Sequence, residues 1–424
     1  MPSFQEEEPW QGRPAVPKRS SLRPIFLIVL VDVLGRAIIV PLLSIYSEHF
    51  GATPLEATLL VSIYAVCQLV SAPLLGKASD RFGRKPLLLA SQIGTFIGLL
   101  LLARASSLWM VYLSRVIDGA TAGNILLVQA YISDNTESKD RTRVFALIGI
   151  AFGLGFLVGP FLTGSLVSYG LSAPIYAASG MSLGSILCTT FLLPRALPAA
   201  PADRDMGSRS HAVTVFGWKA YARYFNRPVL SGRLAQFFFH ALCVSTFTSG
   251  FALFAERRFT WQGHPVTARE ISYLLGYVGF LGIVLQGFLI GRLVKRFGEP
   301  ALVSAGFISL IIGYVVLGPC RDIPTLILVS TISSFGNGLL RPTLSSLVSQ
   351  NAAPTEQGVV LGFHQALNSV AQILAPILGG VLIGRGLLTF WAWVAAATAM
   401  IGYLLARRIA APVARAEQDC ARTH

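Results

Sequence analysis

The chain has 424 residues, 53% of them hydrophobic and only 13% charged, with a mean hydropathy of +0.62. A soluble domain carries about 25% charged residues, so this composition cannot cover a water-facing surface and reads instead as an all-α polytopic membrane protein. The net charge of +14 would point to nucleic acid in a soluble protein, but here basic residues fill short segments between apolar runs, where they set topology and meet the lipid bilayer; no nucleic-acid partner is expected.

Residues 1–23 are polar, with Glu6, Glu7 and Glu8 and no apolar core of a signal peptide, and are expected to stay cytoplasmic. Apolar runs follow at about 24–46, 55–75, 87–105, 109–132, 144–167 and 173–193, each near the ~20 residues that cross a hydrocarbon core. Between the second and third lies Gly76-Lys77-Ala78-Ser79-Asp80-Arg81-Phe82-Gly83-Arg84-Lys85-Pro86. A stretch so polar is expected to form a tight loop at the membrane surface, on the cytoplasmic side by its basic excess. Residues 194–228 are a polar, basic linker, whose 213–225 portion with Trp218, Tyr221 and Tyr224 reads equally as an interfacial helix or a tether. Six more runs fall at about 229–255, 271–290, 301–317, 323–348, 359–383 and 387–406, before a polar tail at 407–424.

The expected architecture is therefore twelve transmembrane helices in two six-helix bundles, 24–193 and 229–406, with both termini on one side. Charge supports this: of the 34 Lys and Arg, the loops opposite the termini hold only Arg104, Arg257, Arg258, Arg269, Arg321 and Arg385. With no organelle-targeting segment, the expected location is the cell membrane. The cysteines Cys67, Cys188, Cys243, Cys320 and Cys420 form no CxxC pair, so neither a disulfide framework nor a metal site is expected.

The halves echo each other at a shift of about 215 residues. Gly76, Arg81, Phe82 and Gly83 recur as Gly291, Arg296, Phe297 and Gly298; Ile132-Ser133-Asp134-Asn135 as Val348-Ser349-Gln350-Asn351; Gly155, Gly159, Pro160 and Gly164 as Ala371, Ala375, Pro376 and Gly380. Parallel duplication implies pseudo-symmetric bundles with a substrate site between them near mid-membrane.

These residues carry a family resemblance. The Gly76–Pro86 stretch resembles the second-to-third loop of the major facilitator superfamily, and Arg115 with Gly119 its proton-coupled fourth-helix motif. Gly155, Gly159 and Pro160 resemble the fifth-helix motif of its antiporters, with Thr163 where that motif often has glycine. Tyr131-Ile132-Ser133-Asp134, Arg141, Phe145 and Pro354-xx-Gln357-Gly358 with Gly362 are similar to the tetracycline/proton antiporter branch. The resemblance implies a monomer that exchanges small organic molecules for protons.

It also implies roles. Gly76, Asp80, Arg81, Gly83, Arg84 and Lys85 would form a cytoplasmic gate in which Asp80 meets the positive start of the eleventh helix near Gly358. Lys295 stands where the second half would repeat Asp80, so the latch would be asymmetric. Gly155, Gly159, Pro160 and Gly164 would form a fifth-helix hinge and seal.

Charges inside the spans are the main chemical clue. Asp32 and Arg36 are four apart, Arg115 and Asp118 three apart, so each pair shares a helix face. Bare charge in lipid is costly, so these faces should point into the bundle or cavity, where the four could neutralise as a square of salt bridges. Asp32 is the first choice for proton carrier and Asp118 the second, with Arg115 setting proton affinity. A static charge network that only fixes packing is the alternative. The second half offers Gln236, His240, Gln286, Asn337, His364, Gln365, Asn368 and Gln372; of these Gln236, His240, Asn337, Gln365, Asn368 and Gln372 are the expected cargo contacts, beside Phe237, Phe238, Phe239 and Phe363. Arg341, near the cytoplasmic end of the tenth span, reads most simply as a snorkelling residue.

No GxxxxGK[ST] loop, HExxH or nucleophile elbow is found, so neither cofactor nor catalysis is expected, and energy should come from a gradient. Two other functions fit the same sequence: a facilitator or proton symporter for a metabolite such as a sugar, and a membrane receptor or scaffold that moves nothing.

Overall fold

The structure is a computed structural model that describes residues 22–135, 138–193, 227–351 and 357–422. The linker with its 213–225 segment, and the Pro354 motif, lie outside the described residues. In hydrocarbon a helix satisfies its own backbone, and the apolar runs are helices throughout. The first half holds α1 (Leu22–Ile39), α2 (Leu43–Glu48), α3 (Pro54–Phe82), α4 (Arg84–Ala103), α5 (Leu108–Ala120), α6 (Asn124–Asn135), α7 (Ser138–Leu166) and α8 (Ala173–Leu192). The second holds α9 (Pro228–Arg258), α10 (Ala268–Val284), α11 (Ile290–Phe297), α12 (Glu299–Leu317), α13 (Ile323–Gln350), α14 (Gln357–Gly384) and α15 (Leu388–Arg422). A π turn, Leu285–Leu289, joins α10 to α11.

Among the described residues, ten rods are long and apolar enough to cross a membrane. The other two places in the twelve-span reading are taken by broken rods, α1 with α2 and α5 with α6. The tight loop expected at Gly76–Pro86 is corrected. Helix α3 runs on through Asp80 to Phe82, and only Gly83, at φ 94°, turns the chain before α4 begins at Arg84. Glycine alone adopts that backbone without strain, so one residue does what a loop was expected to do. A short hairpin of β1 (Thr260–Trp261) and β2 (His264–Pro265), absent from the sequence reading, joins α9 to α10.

The duplication reaches the caps. Thr53 and Glu56 form a capping box at the start of α3, with the Thr53 N–H donating to Glu56 Oε2 at 2.8 Å; Thr267 and Glu270 do the same at α10, at 2.9 Å. At the other ends Gly83 and Gly298 share one backbone conformation, and Arg81 and Arg296 each sit 5.4 Å over the following phenylalanine ring.

In the first bundle α1 packs on α7 and α8, and α4 on α5 and α8; in the second α9 packs on α14 and α15, and α12 on α13 and α15. The bundles meet along α3 with α14 and α7 with α10. Their cores differ. The second has a large cluster around Trp391, Phe251, Phe254 and Phe307, with two small ones around Leu230 and Val348 and around Leu285 and Leu302. The first is split in two: Ile28, Val33, Leu88 and Leu127 on the side of the Gly83 turn, here the motif face, and Ile38, Leu60, Leu102 and Ile175 toward the far face. Between them lies a polar layer.

Candidate functional site

That layer is built by a break in the fourth rod. After α5 the run Thr121-Ala122-Gly123 leaves the helix, which frees carbonyls at its end and an N–H. Side chains take them up: Ser71 Oγ donates to Gly119 O at 3.0 Å, Gln68 Nε2 to Ala122 O at 3.5 Å, Ser91 Oγ to Thr121 O, and the Gly123 N–H donates back to Ser91 Oγ at 3.1 Å. Irregular backbone survives in a membrane only where protein or a cavity satisfies it. Glycine is also required sterically, because a Cβ on Gly119 would lie 2.6 Å from Tyr64 O.

The restart at Asn124 brings its side-chain amide to Asp32 Oδ1. Asp32 Oδ2 takes Arg36 Nη2 at 2.9 Å, so both carboxylate oxygens are held. Arg36 also reaches Tyr64 Oη at 3.4 Å, and Tyr64 is shared with Gln68 at 3.5 Å. Arg115 Nη1 meets Asp118 Oδ2 at 3.3 Å. The four charges thus form two pairs, each within its own helix, rather than a square of salt bridges; Tyr64 and Asn124 supply the links between helices. Asp118 is still within electrostatic range of both Asp32 and Arg36. Asp32, Arg115 and Asp118 are buried, whereas the Arg36 side chain is 32% exposed. Arg115 Nη2 and Asn124 Oδ1 have no protein hydrogen-bond partner among the described residues. A buried carboxylate held by an amide and by a guanidinium that also reaches a phenol can hold or release a proton, or bind polar groups.

Asn124, Tyr64 and Gln68 were missed by the sequence reading. The available signal was the glycine-interrupted fourth run, since broken helices place ion and substrate sites at mid-membrane.

In the second half, His240 Nε2 lies 3.0 Å from Asn337 Oδ1, and Gln236 Oε1 accepts from Arg233 Nη1 at 3.2 Å. His364 packs on Phe237, with ring centroids 3.4 Å apart. Gln365, Asn368 and Gln372 lie along one side of α14, with Gln365 exposed, and none contacts the Gln236–His240–Asn337 group by a hydrogen bond among the described residues.

The residues expected to form a gate divide. Asp80 Oδ1 takes Arg84 Nη2 at 2.7 Å, four residues on, and Arg84 also donates to Ser79 Oγ. Lys85 Nζ caps the end of α8 through Thr190 O, at 2.8 Å, and Leu193 O. Gly76 has only Leu126 in van der Waals reach. Gln357 and Gly358 begin α14, and the contacts expected of Asp80 there lie outside what is described.

In the fifth rod, α7, the glycines serve two partners. A Cβ on Gly155 would lie 2.5 Å from Val33, and one on Gly159 2.5 Å from Ala37, both on α1. One on Gly164 would lie 3.0 Å from the Tyr273 ring on α10. Pro160 sits inside a continuous helix, and Thr163 donates to Ile38 O at 2.7 Å, tying α7 to α1 by a bond glycine could not make.

The bundles approach most closely toward the far face. Ser62 Oγ donates to Ile373 O at 2.8 Å, Gly380 packs on Leu55 and Thr58, and Arg257 pairs with Glu48 across the bundles at 2.5 Å. At the motif end, Leu74, Phe82, Phe288 and Phe297 are each more than half exposed, and a Cβ on Gly287 or Gly291 would meet no other part of the protein within 4 Å.

The sequence matches the Major Facilitator Superfamily over residues 25–317 and 260–419. It is 29% identical to the class B tetracycline resistance protein of Escherichia coli over 88% of this chain and 92% of that one, and 31% identical to the class C protein over 82% and 86%. Multidrug resistance protein 2 of Bacillus subtilis (strain 168) is 27% identical over 85% and 89%. Among solved structures, the human organic anion transporter MFSD10 (TETRAN) superposes with a TM-score of 0.69 at 23% identity, covering 92% of this chain and 99% of that one. The nucleoside transporter NupG gives 0.71 at 16% identity, covering 92% and 98%. With both halves matched, a split polar core and this fold, the chain belongs to the major facilitator superfamily of membrane transporters.

Proposed function

We propose that the chain is a proton-coupled exporter of small amphipathic organic molecules, acting as a monomer by alternating access in the cell membrane with both termini cytoplasmic. The observation that carries this is Asp32: a buried carboxylate at mid-membrane, held by Arg36 and by Asn124 at the start of a broken helix. Its relatives named for tetracycline and multidrug resistance support efflux. In this reading Asp32 takes the proton, Arg115, Asp118 and Arg36 set its affinity, and the polar groups of the second half face the cargo. The test is purified protein in vesicles preloaded with tetracycline and a pH indicator. Downhill drug exit should draw protons inward and acidify the lumen; alkalinisation would mean symport, and no change would mean facilitation. Either result would overturn exchange.

The same reading assigns opposite tasks to the two faces. The Glu48–Arg257 pair holds the far face shut, and Asp80 latches the motif face shut in the other state by meeting the start of α14. Arg257→Ala should widen the distance between spin labels at Tyr169 and Trp261, both exposed on the far face. Asp80→Asn should leave that distance as it is or shorten it. Each shift should be modest, since an exposed pair contributes about 0–1 kcal/mol. Identical distance distributions in both variants and the parent would rule out the assignment.

A further inference from the structure

Four arginines lie inside the spans, and they are not equally partnered. Arg36 and Arg115 each have a carboxylate. Arg233 donates to Gln236 and has Glu299 within electrostatic range. Arg341 forms no ion pair among the described residues, although it stands about two and a half turns inside the end of α13.

Its surroundings are defined by three helices. Asn337, Arg341 and Ser345 follow at four-residue steps on α13 and so share a face. On one side of Arg341, Asn337 meets His240 of α9; on the other, Ser345 Oγ lies 3.4 Å from His364 Nε2 of α14. Phe237 closes the ring, stacked on His364 and 6.4 Å from the His240 ring. Both histidines lie in the electrostatic field of Arg341. Phe237 and His240 are buried, whereas Arg341 is exposed. The nearby acid of this bundle, Glu299, is occupied by Ser346 at 2.7 Å and Gln350 at 3.3 Å. Arg341 thus stands between two polar links from α13, Asn337 to His240 and Ser345 to His364.

We propose that Arg341 recognises an anionic group on the cargo, so that the molecules carried are aromatic or apolar bodies bearing a carboxylate, sulfonate or similar anion. This rests on the carrier reading and names its substrate class. A cation at membrane depth without an acid marks a substrate or ion path. A guanidinium offers a planar fork of donors that fits such anions in two-point fashion, and the half-buried His364 ring, backed by Phe237, offers an aromatic edge for the body. The first half contributes two neutral pairs, so the unmatched charge of the cleft is positive and a cationic cargo would be repelled.

The test uses the full chain in lipid nanodiscs and three probes of one shape: biphenyl-4-carboxylate, biphenyl-4-carboxamide and biphenyl-4-ylmethylammonium. By titration calorimetry the carboxylate should bind on the order of tenfold more tightly than the amide, and the ammonium most weakly. Arg341→Gln should make carboxylate and amide equal, and Arg341→Lys should keep part of the preference, which also shows that the site is still folded. Equal or tighter binding of the amide or ammonium to the parent, a preference that survives in Arg341→Gln, or no carboxylate binding at millimolar concentration overturns the proposal. Proton exchange with tetracycline is followed on the same purified protein in sealed vesicles. Exchange without an anion preference removes only the charge class. An anion preference without exchange removes the exchanger and leaves the anion site standing.

Discussion

Asp32→Asn should abolish proton-driven uphill transport, bringing drug accumulation to the level of vesicles without a pH gradient. A carboxamide keeps the size and the hydrogen bond from Asn124 but cannot take up or release a proton in the working range. Lost coupling must be separated from lost folding, because Arg36 would be left without its carboxylate and a broken pair at depth destabilises. Asp32→Asn with Arg36→Gln restores neutrality. The double variant should fold and let drug move downhill, yet still fail to concentrate it. Uphill transport by either variant would remove Asp32 as carrier. Coupling kept in Asp32→Asn and lost in Asp118→Asn would move that role to Asp118, which is as deeply buried and within electrostatic range of Arg36.

The sequence carried the rods and the embedded charges because both follow from composition alone: long apolar runs must be helical in lipid, and Asp32, Arg36, Arg115 and Asp118 stand out against them. It carried the duplication as well, through Gly83 and Gly298. What it hid were effects of tertiary context. Helix propensity does not say that α3 runs through a polar stretch to Phe82, because surface charges there are solvated or capped by Arg84 rather than buried. Asn124 becomes a partner of Asp32 only because the chain breaks at Thr121–Gly123, and that break depends on Ser71, Gln68 and Ser91 from other helices. Arg341 looked like a surface residue because spacing along one helix cannot show that His240 and His364 flank it.

Gly279→Val should open the far face, and Gly282→Val, three residues along the same helix, should not. A Cβ at Gly279 would lie 2.4 Å from Phe156 O and 2.9 Å from Phe156 C on α7. Those are backbone atoms, so no rotamer change relieves the clash and the two helices must part. Overpacking of this kind costs about 1–3 kcal/mol, and close helix approach through small residues is what holds α7 to α10 across the bundles. A protein with two packings relieves such strain by populating the one in which the contact is absent. Labels at Tyr169 and Trp261 should therefore show a longer distance in Gly279→Val, with a larger shift than Arg257→Ala gives. A Cβ on Gly282 would meet no other part of the protein within 4 Å, so valine there controls for helix propensity and added apolar surface. Equal distances in the two glycine variants would mean that the α7–α10 contact does not close the far face. A loss of folded protein confined to Gly279→Val would mean that the contact is too stable to serve as a moving seam. Either result leaves the fold as described and removes this helix pair from the transport cycle.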